Sequence, residues 1–87
     1  MPYIEQSDRI YLDERLTFNN NAIHTPGELN YAITKLVNHY IASHGLSYTN
    51  INEAIGVLEC AKMELYRRIA TPYEDIKMQQ NGDVYTL

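Results

Sequence analysis

Between Tyr48 and Ala70 (YTNINEAIGVLECAKMELYRRIA) the chain has no proline, one glycine and a nearly unbroken series of good helix formers. This stretch has to be a helix. Asn50 followed by Glu53 suits an N-cap and its N3 carboxylate, and Arg67 and Arg68 suit the negative end of the helix dipole. The spacing therefore predicts a central helix over residues 50–70. On its wheel, Ala54, Leu58, Ala61, Leu65 and Ile69 fall together, flanked by Ile55 and Val57, which is the pattern of a core stripe. The opposite side carries Gly56, Cys60, Met63, Arg67 and Ala70, not a run of charges. A helix apolar on two sides is buried on two sides, and in a short chain the second side is expected to meet another subunit.

The need for a partner is reinforced by size. At 87 residues the chain predicts one domain, residues 1–87, with a core near the lower limit of self-sufficiency. The single cysteine, Cys60, cannot close an intrachain disulfide, so oligomerisation is the expected remedy. A net charge of −4 argues against a DNA- or RNA-polymer-binding surface. Nothing resembles a signal peptide or a membrane span, so a cytoplasmic protein is expected. Eight tyrosines against one phenylalanine and no tryptophan are unusual, and tyrosine suits interfaces and stacking on flat ligands.

Taken in order, residues 1–6 read as an arm, and Ser7 can cap a first helix over 7–20. Ile10, Leu12, Leu16 and Phe18 would be its apolar contacts, and Asn19-Asn20-Asn21 would end it. Thr25-Pro26-Gly27-Glu28 announces the second helix, 25–44, with an N-cap, a proline at N1 and a capping glutamate. Leu29, Ala32, Ile33, Leu36, Val37, Tyr40 and Ile41 form its single apolar stripe. Gly45 is its stop, and a short connection predicts that the second and third helices pack antiparallel. Pro72 is expected to reset the chain direction into a short helix, 72–80, before an 81–87 tail in which Val84 and Tyr85 could dock. The expected fold class is all-α: a small bundle of three to four helices, with an antiparallel pair and a short C-terminal helix, assembled as a homo-oligomer.

Catalytic chemistry finds little support. Cys60 sits where a thiol packs, no G-x-S-x-G occurs, and His24, His39 and His44 lack metal-ligand spacing. Glu53 has a cap to make, and Glu64 has Arg68 four residues on. No catalytic residue, metal or cofactor is expected, and the protein reads as a non-enzyme. The strongest cluster is Tyr66-Arg67-Arg68 followed by Tyr73, which offers phosphate forks and ring faces together. Asn30 and Tyr31 add an amide and a phenol that could read a base edge. The expected ligand-binding set is therefore Arg67, Arg68, Tyr66, Tyr73, Asn30 and Tyr31.

The segments GELNYAIT (27–34), INEAIGVLECAKMELYRR (51–68), PYED (72–75) and NGDVY (81–85) together resemble a family of small phage-encoded helical proteins. The resemblance covers most of the chain from Thr25 onward, with a looser match over the first helix. Through it the chain is similar to the phage anti-CBASS sponges, which bind cyclic dinucleotide signals of bacterial immunity without cleaving them. That resemblance implies a homo-oligomer in the host cytoplasm that sequesters a cyclic dinucleotide between subunits for immune evasion. It carries no binding residue over position by position. The alternative is a helical interaction protein that binds a host protein and no small molecule.

Overall fold

The computed structural model describes residues 1–17 and 22–87, and every regular element among them is helical. Helix α1 spans Gln6–Arg15, α2 Pro26–His44, α3 Tyr48–Leu65 and α4 Thr71–Asn81. The chain divides into two compact units, Pro2–Ile55 and Gly56–Leu87, with the boundary inside α3.

In the first unit, α1 ends at Arg15, short of the expected residue 20. Arg15 closes it, with its guanidinium 3.4 Å from the centroid of the Tyr11 ring and its Nη1 donating to the Tyr11 carbonyl. The expected contact of Phe18 and the stop at Asn19–Asn21 lie outside the described residues. Helix α2 starts as its signature dictates: Thr25 Oγ1 accepts from the Glu28 amide at 3.1 Å. The Glu28 carboxylate reaches back one residue further than a standard box and accepts from the His24 amide at 3.2 Å.

The turn into α3 is built differently from the expected cap at Asn50. Ser47 is the cap: its Oγ accepts from the Asn50 amide at 3.1 Å, so α3 begins at Tyr48. Asn50 thereby lies inside the first turn, and its Nδ2 donates to the His44 and Gly45 carbonyls at 3.1 and 2.8 Å. It satisfies acceptors that the end of α2 leaves open. Glu53 is released from capping and accepts from Tyr40 Oη at 3.0 Å, joining α2 to α3.

The second unit departs most from expectation. Pro72 does not reset the direction, because a π-helical turn over Tyr66–Ala70 joins α3 directly to α4. The Thr71 amide donates to the Tyr66 carbonyl, five residues back, just before the proline that cannot donate at all. The wider turn takes up the missing donor without a break. Gly82 ends α4 at φ +92°, and the tail beyond it stays exposed, Val84 and Tyr85 included, so it does not dock.

Neither unit encloses the expected core. Ala54, at 6% exposure, is the buried hydrophobic residue among those described. Leu36 on the α2 stripe remains 52% exposed, and Leu58, Leu65 and Ile69 on the expected core stripe of α3 are exposed as well. A helix this short of cover draws little stability from propensity alone.

Candidate functional site

Tyr66, Arg67 and Arg68 all lie on the π-turn, and Tyr73 follows in the first part of α4. A π-turn closes its hydrogen-bonded ring with one residue more than an α-turn, so it widens the helix where the two guanidiniums sit; such turns recur at functional positions. Arg67 is held there. Its Nη2 donates to both carboxylate oxygens of Glu64, at 3.2 and 3.1 Å. Glu64 thus pairs with Arg67, three residues on. The pair is largely solvated on the arginine side, so it orients the guanidinium more than it stabilises the fold. Tyr73 takes the Lys77 ammonium over its ring at 5.6 Å.

Asn30 and Tyr31 lie in the other unit, so four of the six expected ligand residues share a unit and two do not. Asn30 Oδ1 accepts from Thr34 Oγ1 at 3.2 Å, which commits the amide oxygen to its own helix. Tyr31, with Lys35 at 6.0 Å over its ring, borders an open apolar recess of about 510 Å³ with Ile23, Thr25 and Ala32. The recess suits a flat or apolar group, and Glu28 is among the residues that line it.

The local composition gave no notice of a cluster at the end of α2. Tyr40 stacks on His44, with ring centroids 4.2 Å apart and an interplanar angle of 25°. His44 Nδ1 lies 2.9 Å from the Tyr40 carbonyl. A carbonyl can only accept, so that nitrogen carries the proton. The hydrogen bond to Glu53 raises the Tyr40 phenol above its ordinary value, with desolvation and the carboxylate charge adding to it. Because the folded value is the higher one, the contact's contribution to stability is intact below the ordinary phenol range and is lost as pH rises through the raised value. Tyrosinate absorbance on alkaline titration should show a late-ionising phase that Tyr40→Phe removes and Glu53→Gln moves to lower pH.

Among the described residues, no cluster of histidine, cysteine and carboxylate side chains could hold a metal ion, and no helix is long and apolar enough to cross a membrane. No curated protein and no solved structure matches the chain. A family model does match, over residues 1–84, and it is described as a domain of unknown function, DUF6899. The chain belongs to that family.

Proposed function

We propose that the protein acts by binding rather than turnover, as a self-assembling helical module that sequesters a cyclic dinucleotide in pockets between subunits. The observation that carries this reading is the π-turn, which gathers Tyr66, Arg67 and Arg68 within five residues. Guanidiniums hold phosphates and phenol rings stack on bases, whereas neither group is a good proton shuttle near neutral pH. A ligand with two phosphates and two bases fits a site repeated by symmetry, because each copy supplies one half. The resemblance to phage anti-CBASS sponges supplies the ligand class and, with it, a role in immune evasion in the host cytoplasm.

Titration calorimetry against a panel of cyclic and linear nucleotides tests the proposal. Binding of a cyclic dinucleotide, with the ligand recovered intact, is the expected result; no heat with any member of the panel would rule it out. The contact side in this reading is the flank of Gly56, Cys60 and Met63. A Cβ added at Gly56 meets no atom within 4 Å, so the chain itself has room for a side chain there. Gly56→Leu should accordingly leave helix content intact or raised while lowering the sedimenting mass. An unchanged mass would remove that flank from the assembly.

The exposed Leu29 and Leu36 on α2 favour a second reading, in which α2 and α4 dock a host protein. Recovery of one stoichiometric host protein on an oligomer free of nucleotide would support it.

A further inference from the structure

Asn81 is the chain's one asparagine followed by glycine. With no Cβ on the following residue, the Gly82 backbone nitrogen can approach the Asn81 carboxamide carbon without hindrance. The other described asparagines precede larger side chains (Tyr31, His39, Ile51 and Glu53) and lie inside α2 or α3. Asn81 is instead the last residue of α4, and it is exposed. Among the described residues, no hydrogen-bond partner holds its carboxamide. No atom lies within 4 Å of a Cβ built at Gly82, so nothing crowds the approach. One contact stands in the way. The Gly82 amide donates to the Met78 carbonyl at 2.8 Å, the bond that caps α4. Its nitrogen becomes a nucleophile only when it gives up that bond and its proton.

We propose that Asn81 is a site of spontaneous, backbone-assisted deamidation, and that the C-cap of α4 sets its pace. When the bond to Met78 opens, hydroxide takes the Gly82 amide proton and the nitrogen's electron pair attacks Asn81 Cγ. The new N–Cγ bond closes a five-membered succinimide. The Cγ–Nδ2 bond breaks, and Nδ2 takes up a proton and leaves as ammonia. Water then adds to either ring carbonyl and cleaves its bond to the ring nitrogen, giving aspartate or isoaspartate. Both products add a negative charge at the end of α4, where the helix dipole is already negative and the last turn holds no basic residue. Glu74, Asp75, Asp83 and Lys77 line the adjoining open recess of about 320 Å³, so the lysine already faces a carboxylate excess there. Isoaspartate also routes the backbone through the side chain, which inserts a methylene between the Cα of residue 81 and the Gly82 amide. That amide then no longer sits where it can reach the Met78 carbonyl. Either product loosens the last turn of α4, and the change does not reverse.

Ageing the full chain at mildly alkaline pH in oxygen-18 water, followed by peptide mapping that separates aspartate from isoaspartate, provides the test. Deamidation should concentrate at Asn81, yield both products and incorporate the label. It should quicken as pH rises, because loss of the amide proton comes first. The same chain unfolded in guanidinium chloride should react about ten-fold faster or more, since the capping bond is then gone. Asn81→Gln should suppress the reaction in both conditions, because the larger ring closes far more slowly. Gly82→Ala should slow it in the unfolded chain, where a Cβ shields the nitrogen and the strain of the folded cap plays no part. No product at Asn81 in the folded chain after many times the period that converts the unfolded one would overturn the site. Equal rates in the two conditions would overturn the role of the cap. Neither result depends on whether the chain binds a nucleotide.

Discussion

Arg68→Ala should weaken binding of a cyclic dinucleotide by about ten- to a hundred-fold, the worth of one charge-assisted hydrogen bond of roughly 1.5–3 kcal/mol. The loss should appear in calorimetry with the assembly's mass unchanged. Arg67→Ala should weaken binding as well, although a ligand phosphate there must compete with the Glu64 carboxylate to which Arg67 already donates. Glu64→Gln offers the complementary result. Removing the competing charge should tighten binding, and raised salt should weaken binding in every variant because the contact is ionic. If Arg68→Ala and Arg67→Ala both bind as the wild type does, the turn is not the phosphate site and the sequestration proposal loses its chemistry.

Gly45→Ala should lower stability by about 1–3 kcal/mol. Gly45 sits at φ +104°, ψ 148°, a conformation open essentially to glycine alone. No atom lies within 4 Å of a Cβ built there, so the cost is backbone strain and not collision. Relief of the strain would pull the Gly45 amide from the Ile41 carbonyl, at 2.8 Å, and the Gly45 carbonyl from Asn50 Nδ2. That would unfasten the turn between α2 and α3. For a domain of this size the loss corresponds to a fall in Tm of roughly 5–20 °C by calorimetry. Asn50→Ala should follow the same course to a lesser degree, about 1–2 kcal/mol, since it removes two hydrogen bonds and leaves the backbone relaxed. An unchanged Tm in Gly45→Ala would mean that the turn does not hold the two helices together.

Local chemistry made part of this molecule legible. The Thr25-Pro26-Gly27-Glu28 start, the Gly45 and Gly82 stops and the periodic runs between them each depend on neighbours within about one turn. Residues in that range are enough to fix a helix and its ends. Pro72 marks the limit of such reading. Its missing donor was plain in the sequence, but a break and a π-turn both accommodate it, and neighbouring side chains do not choose between them. The capping of α3 shows the same ambiguity on a smaller scale. Ser47 and Asn50 are both good caps, and the engagement of Asn50 with the end of α2 assigns the role to Ser47.

The chain alone therefore determined an all-helical protein, most of its helix boundaries and the grouping of Tyr66, Arg67 and Arg68. Tertiary structure decided three things: that Glu53 serves Tyr40 and not a cap, that α3 passes into α4 through a widened turn, and that the apolar stripes stay uncovered within their own units. The physical reason is range. Capping and periodicity act over three or four residues, whereas the partner of a carboxylate, the route past a proline and the cover on a stripe are settled by groups distant in sequence.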